Sequence, residues 1–398
     1  MVATVLSSNL NKKSGIEMRK RWAEQIGMDM IEPEKKKKNI NINLIPSQIN
    51  RELDRFIIGQ EKAKRVLSVA IYNHNKRLHD KTGLIKKSNI LLAGPSGCGK
   101  TLLARTLAKM LDVPFATADA TSLTEAGYVG DDVEVVLQRL LDVADGDLEL
   151  AQKGVVFIDE IDKIARMGEN RSITRDVSGE GVQASLLKLI EGCKVSVQTT
   201  GKRKHPNGVN VMFDTSNVLF ICGGAFEGLF ADNIKKAPLG FGSFNTFEVI
   251  DADKAANERL TQAALVKFGL MPELVGRLPV LCALTELKEN DLIRVLTEPE
   301  DAITKEYELL FEKDGVKLIY EEDALREIAK TAIQKKTGAR GLRTILEDVM
   351  LDIMYDLPDK KDKISKCIIT ADRIKSKKPL IIEKRHRKKA AEAIAAST

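Results

Sequence analysis

The apolar positions along the chain follow two rhythms. Over 46–78, "PSQINRELDRFIIGQEKAKRVLSVAIYNHNKRL", they recur at helical spacing in two stretches separated by "FIIGQ" (56–60), where Gly59 interrupts the periodicity. In the second stretch Ala63, Val66, Leu67, Ala70 and Ile71 make one apolar stripe. In "SNILLAGPSGCGKTLLARTLAKML" (88–111), "KGVVFIDEIDKI" (153–164) and "TSNVLFICGGAF" (215–226) the apolar residues instead run without alternation. Such runs, separated by helical segments, predict strands buried on both faces, and hence a mainly parallel sheet with helices on either side. From about 285 the rhythm is helical again: "LKENDLIRVLTEPEDAITKEYELLFEKDG", "EEDALREIAKTAIQKK" and "GARGLRTILEDVMLDIMYDLP". Around the short "VKLIY" (316–320) these segments predict a smaller, mainly helical domain. The pattern divides the chain into a polar N-terminal extension (1–50), a large α/β domain (51–284), a small mainly helical domain (285–380) and a basic tail (381–398). No internal repeat is evident.

Composition narrows the class. A chain of 398 residues suits two or three domains, and 43% hydrophobic with 30% charged residues is ordinary soluble globular material. The net charge of +6 is small for this length and is concentrated in "EKKKKN" (34–39) and "EKRHRKKAAEA" (383–393). These patches read as solvated ends, and no stable nucleic-acid or membrane partner is expected from them. The five cysteines (98, 193, 222, 282 and 367) form no CxxC pair, so neither a zinc site nor a disulfide framework is implied. A reducing, cytoplasmic location follows. No run of 18 apolar residues predicts a membrane span, and "MVATVLSSNLNKKSG" lacks the basic start and apolar core of a secretory signal.

The chemistry concentrates in two motifs. "GPSGCGKT" (94–101) matches G-x-x-x-x-G-K-[ST], with an apolar strand before it and a helix after it. In that setting the backbone of Pro95, Ser96, Gly97, Cys98 and Gly99 wraps phosphates, and the helix N-terminus favours their charge. Lys100 reaches the β- and γ-phosphates, Thr101 offers its hydroxyl to Mg²⁺, and Leu102 completes the nucleotide contacts. The thiol of Cys98, near a helix start, is a candidate reactive group. "VVFIDE" (155–160) supplies the partner: a buried strand delivering Asp159 and Glu160 at its C-terminal edge. Asp159 is assigned to Mg²⁺ and Glu160 to the attacking water, the alternation of strand side chains separating their tasks. Hydrolysis also needs positive charge at the γ-phosphate, for which Arg277 in "MPELVGRLP" and Arg340 in "TGARGLR" are the candidates. A third stretch, "LTEAGYVGDDVE" (123–134), sets Tyr128 and Val129 between Gly127 and Gly130. On local grounds Tyr128 is either a core residue at a tight turn or an aromatic on display.

These segments, together with "IIGQEKAKRVL", "SITRDVSGEGVQASLLKLIEG", "RKHP", "LFICGGAF" and "FGLMPELVGRLPV", closely resemble the ClpX family, the AAA+ unfoldases of the bacterial Clp protease. The resemblance covers about 46–380. It implies an AAA+ P-loop NTPase large domain of α/β class with a mainly parallel sheet, followed by a small mainly helical AAA+ domain. It also implies a homohexameric ring with ATP and Mg²⁺ bound between neighbours. Ile57 and Ile58 then belong to the adenine pocket, Arg277 is the finger reaching a neighbour's site, and Arg340 is the sensor that links the small domain to nucleotide. Tyr128 and Val129 become the axial pore loop that grips polypeptide. Arg203, Lys204 and His205 become the basic loop at the pore entrance, and Leu239, Gly240 and Phe241 the loop that docks into the Clp peptidase (ClpP) rings. Unfolded or tagged proteins are the implied substrates.

Five departures qualify the match. Cys98 stands where a small residue, commonly serine, is found, and 193–213 departs from the usual proline- and glycine-rich version before the basic triplet. The family usually begins with a four-cysteine zinc domain, whereas residues 1–50 contain no cysteine, which leaves adaptor binding unsupported. The docking tripeptide begins with leucine where isoleucine is typical. Residues 218–222 run into Gly223 and Gly224, so no polar first sensor is assignable. No Ser/His/Asp constellation is evident among His74, His79, His205 and His386, and peptidase activity is not expected. A nucleic-acid motor fits less well because the Tyr128 loop is aromatic and flanked by acids. A metabolic P-loop kinase would need an acceptor site that the helical domain does not offer. A peptidase-independent remodelling chaperone is the nearest alternative.

Overall fold

Each core strand sends consecutive residues to opposite sides of the sheet, and both sides are covered. Leu91, Ala93, Val156, Ile158, Phe220 and Cys222 join one apolar cluster, whereas Ile90, Leu92, Val155, Phe157, Leu219 and Ile221 join another. Burial on both faces is why the apolar runs carry no polar alternation. The computed structural model describes residues 45–124, 131–165, 179–198, 210–230, 256, 258–360, 364–376 and 381–384. All of these lie in the compact unit that starts at Ile40, and the other unit, Met1–Asn39, lies outside them.

Along the chain, helices α1 (Pro46–Asp54) and α2 (Glu61–Leu78) precede strand β1 (Ile90–Ala93) and helix α3 (Lys100–Met110). Strand β2 (Phe115–Asp119) leads to the short strands β3 (Leu123–Thr124) and β4 (Asp131–Asp132). Helices α4 (Val135–Val143) and α5 (Leu148–Ala151) then bring the chain to β5 (Val155–Asp159) and a 3-10 turn, Ile161–Ile164. Helix α6 (Glu180–Glu191), the antiparallel pair β6 (Lys194–Gln198) and β7 (Asn210–Asp214), and strand β8 (Leu219–Gly224) follow. Helices α7 (Gln262–Phe268) and α8 (Pro272–Gly276) lead into β9 (Val280–Ala283). The sheet order is β2-β5-β8-β1-β9, all parallel. Strands β2 and β9 were not singled out from the sequence. Each is short and starts immediately after a proline, Pro114 or Pro279, so neither shows a long apolar run.

Beyond β9 come α9 (Glu289–Thr297), α10 (Ile303–Lys313), β10 (Lys317–Tyr320), α11 (Glu322–Gln334) and α12 (Gly338–Lys360). Strand β11 (Ile364–Ile369), α13 (Ala371–Ser376) and β12 (Ile381–Lys384) complete the described residues. This part has its own core, including Leu296, Phe311, Ile328, Leu346 and Cys367. It holds a three-stranded sheet, β10-β11-β12, where the sequence suggested only the "VKLIY" strand. A register shift between Ile364 and Lys366 breaks the period-two pattern of β11, which hides it from sequence reading.

One side chain fastens the turn after α1 to the start of the second domain. Gln60 is buried and left-handed (φ 60°). Its amide donates to the Thr285 carbonyl at 2.8 Å and accepts the Thr285 N–H at 3.1 Å. Nearby, Arg55 Nε donates to Glu300 Oε1 at 2.7 Å. Among the described residues no helix is long and apolar enough to cross a membrane.

Candidate nucleotide site

The glycine-rich loop leaves β1 and becomes α3 through two left-handed glycines, Gly97 (φ 75°) and Gly99 (φ 101°). Gly97 has a second reason to be glycine. A Cβ there would lie 2.6 Å from the Thr337 carbonyl oxygen and 3.1 Å from the Gly338 Cα. The loop therefore meets the start of α12 backbone to backbone, and the Ala339 N–H donates to the Gly97 carbonyl at 3.2 Å. Lys100 folds over its own loop, its Nζ donating to the carbonyls of Gly94 (2.6 Å) and Pro95 (3.0 Å).

The acidic side comes from β5, which β8 separates from β1. Asp159 closes β5, and the Thr101 hydroxyl donates to its Oδ2 at 3.2 Å. A hydroxyl and a carboxylate brought together in this way suit a small hard cation such as Mg²⁺, which takes few protein ligands and keeps water and phosphate for the rest. Among the described residues no group of three or more His, Cys, Asp or Glu could hold a metal ion. Glu160 corrects one detail of the sequence reading. It lies one residue beyond the strand, in the left-handed region (φ 57°), and opens the 3-10 turn. The turn, and not strand pleating, sets the two carboxylates apart. Glu160 is exposed, and its N–H is held by Asp159 Oδ1 at 3.0 Å.

These groups line a cleft of about 590 Å³ with Ser96, Gly97, Gly99, Lys100, Thr101 and Leu102 on one wall. Asp159, Glu160 and Asp162 stand on a second wall, and Arg340 with Arg343, from α12, on a third. The apolar end is made by Phe56, Val295, Pro299, Ala302 and Ile303. The sequence-predicted loop, carboxylates and Arg340 are thus brought together, although they lie up to 244 residues apart (340 minus 96). Ile57 and Ile58 are buried beside the cleft, but the lining residue of that segment is Phe56. Arg277 does not line the cleft among the described residues. It is exposed at the end of α8, with its Nε on Glu191 Oε1 at 2.7 Å.

Cys98 departs from the expected reactive thiol. It is buried among the residues packed around α3, and burial pushes its thiol pKa up, which disfavours the thiolate. Sequence reasoning also missed Arg343 and Asp162. Arg343 lies three residues after Arg340 on the same helical face, a spacing that was readable. It pairs with Glu306 at 2.7 Å and Glu347 at 3.6 Å, which holds its guanidinium in place. Tyr128 and Val129, between β3 and β4, lie outside the described residues, as do Arg203, Lys204 and His205, between β6 and β7. Leu239, Gly240 and Phe241 lie outside them as well.

Comparison with known proteins agrees with this geometry. Residues 85–281 match the AAA domain (Cdc48 subfamily), and residues 287–369 match the C-terminal, D2-small domain, of ClpB protein. The chain is 51% identical over 359 residues to the ATP-dependent Clp protease ATP-binding subunit ClpX of Treponema denticola, covering 85% of this chain and 84% of that protein. It is 50% identical over 351 residues to the subunits of the same name in Borrelia duttonii and Borrelia recurrentis, covering 86% of this chain and 81% of each. The chain belongs to the ClpX family. It is accordingly an AAA ATPase, the ATP-binding kind of Clp protease subunit, and not itself a peptidase. The expected α/β AAA+ fold with a following small helical domain stands, with the added three-stranded sheet as its amendment.

Proposed function

We propose that this chain is an ATP-dependent protein unfoldase and translocase. It binds ATP in the cleft between its two domains, works as a homohexameric ring, and threads unfolded or tagged proteins through the ring axis into Clp peptidase rings. The observation that carries the nucleotide part is the 3.2 Å meeting of the Thr101 hydroxyl with the Asp159 carboxylate, facing arginines of the second domain across one cleft. Mg²⁺, when bound, would offset the negative charge that develops on the phosphates during hydrolysis. Thr101 and Asp159 would hold it.

Lys100, whose ammonium lies against the Gly94 and Pro95 carbonyls, turns its charge to the phosphate oxygens. Glu160 orients and polarises the attacking water. Arg340 reads the phosphates from α12, so hydrolysis changes how the second domain sits on the glycine-rich loop. Arg277, exposed and away from its own cleft, serves a neighbouring subunit. Tyr128 and Val129 grip the polypeptide, Arg203, Lys204 and His205 select it, and Leu239, Gly240 and Phe241 dock the peptidase. The names of the relatives, ATP-binding subunits of an ATP-dependent Clp protease, support the peptidase partnership.

ATPase and degradation assays on a folded, tagged substrate, with and without the peptidase, test the reading. Glu160→Gln is expected to bind ATP and hydrolyse it about a hundredfold more slowly. Tyr128→Ala is expected to hydrolyse ATP yet unfold poorly, and Phe241→Ala to unfold without handing substrate to the peptidase. Wild-type hydrolysis by Glu160→Gln would refute the water-positioning role, and full unfolding by Tyr128→Ala the pore role.

A further inference from the structure

Strand β8 ends in Gly223 and Gly224 and offers no polar side chain to the cleft. The reason is steric. A Cβ on Gly223 would lie 2.7 Å from the Phe157 ring and 3.2 Å from Asp159 Oδ1. One on Gly224 would lie 2.6 Å from the Phe226 ring and 2.8 Å from Asp162 Oδ1. Both glycines make room for carboxylates that arrive from β5 and from the turn after it.

Asp162 is only 4% exposed and lines the cleft. Its two oxygens have separate tasks: Oδ1 accepts the Ala225 N–H at 3.1 Å, and Oδ2 accepts the Phe226 N–H at 3.3 Å. The ladder between β5 and β8 stops at Ile158 and Cys222, because the chain turns away at left-handed Glu160. Asp162 continues the tie where the ladder cannot. It also fixes a second strained residue, Phe226 (φ 50°), whose buried ring packs edge-on against Phe268 at 5.1 Å. Backbone in such a region persists only when its surroundings over-determine it. The same segment reaches the phosphate loop, since the Gly224 carbonyl accepts the Gly94 N–H at 3.1 Å. Residues 224–226 therefore form one bridge, with the glycine-rich loop at one end and the turn that carries Glu160 at the other.

We propose that Asp162 is the positioning residue that registers Glu160 against the phosphate loop, taking the place that a polar side chain on β8 would otherwise fill. The proposal rests on Glu160 being the water-orienting group. Asp162→Asn is the direct test, because an amide has one acceptor oxygen for two N–H donors. A misplacement of about 1 Å costs up to about a hundredfold in rate, so kcat is expected to fall about tenfold to a hundredfold, with KM and nucleotide affinity within about threefold. In a Glu160→Gln background the same change is expected to lower hydrolysis by less than about twofold, since residues acting as a unit are non-additive. Gly224→Ala, which crowds Asp162 Oδ1 while leaving the carboxylate in the chain, is expected to give the same kcat-selective loss.

Should Glu160→Gln itself hydrolyse ATP at the wild-type rate, the role of Glu160 fails, whatever Asp162 does. With Glu160→Gln inactive, four outcomes overturn the Asp162 proposal: a normal kcat for Asp162→Asn, an equal proportional loss in both backgrounds, a parallel loss of nucleotide affinity, or failure of both Asp162→Asn and Gly224→Ala to fold. The last would make Asp162 a structural tie alone.

Discussion

His74 is a buried histidine with no hydrogen-bond partner at either ring nitrogen among the described residues. It lies on α2, and burial, reinforced by the cations Arg77 and Lys87, lowers its pKa from 6.5 to about 3. The imidazole is thus neutral in the folded protein and takes up a proton on unfolding once the pH falls below about 6.5. The stability it leaves intact above that value is lost progressively between about 6.5 and 3. With those two values the loss between pH 7.5 and pH 5 is about 2 kcal/mol, from RT times the logarithm of a ratio near 30. Chemical denaturation of the wild type and of His74→Leu at several pH values measures it. Leucine leaves no orphaned nitrogen at this buried position, so little stability is expected to be lost at pH 7.5. At pH 5 the variant is expected to be the more stable by about 2 kcal/mol relative to that starting difference. Lys87, whose pKa is also lowered by burial, to about 7, titrates in both proteins and drops out of the comparison. Parallel loss of stability in the two proteins on acidification would refute the reasoning.

Further outcomes can be measured separately. Gly97→Ala forces a Cβ to 2.6 Å from the Thr337 oxygen in a left-handed backbone, so nucleotide affinity measured by titration calorimetry is expected to fall, with the sheet core intact by circular dichroism. Arg277→Ala breaks an exposed pair with Glu191, so unfolding free energy is expected to change by no more than about 1 kcal/mol while ATPase activity falls steeply. Cys98 is expected to react slowly with iodoacetamide in the native protein and rapidly in denaturant, because its thiol is both enclosed and raised in pKa. Asp54→Ala removes one of two carboxylates from the buried ammonium of Lys64, whereas Lys64→Met removes the charge itself. The first is expected to lower the denaturation midpoint more than the second.

The local motifs were legible because their physics is local. A strand, a glycine-rich turn and a helix N-terminus are neighbours in the chain, and the unalternating "VVFID" announced a strand buried on both faces. Arg340 was readable as chemistry in "GARGLR", but its distance from Lys100 was not. Residues 240 apart meet only because Gly97 and Gly338 let two backbones touch and because Gln60 ties the second domain at Thr285. Phe56, one residue before the isoleucines assigned to the base, shows the same limit. A one-residue step decides which side chain faces a cleft, and periodicity cannot resolve it at the end of a helix.

Sequence by itself determined the class of this protein, its strand–glycine-rich turn–helix, its acidic strand end and the small helical part that follows the sheet. It left "FICGGAF" as a strand without a sensor. Tertiary structure alone explained those glycines, by bringing Asp159 from β5 and Asp162 from the turn after it to within contact of β8. The difference has a physical cause. Backbone propensity and burial act on neighbours along the chain, whereas the room for a side chain, and the partner of a carboxylate, depend on what the fold places across from it.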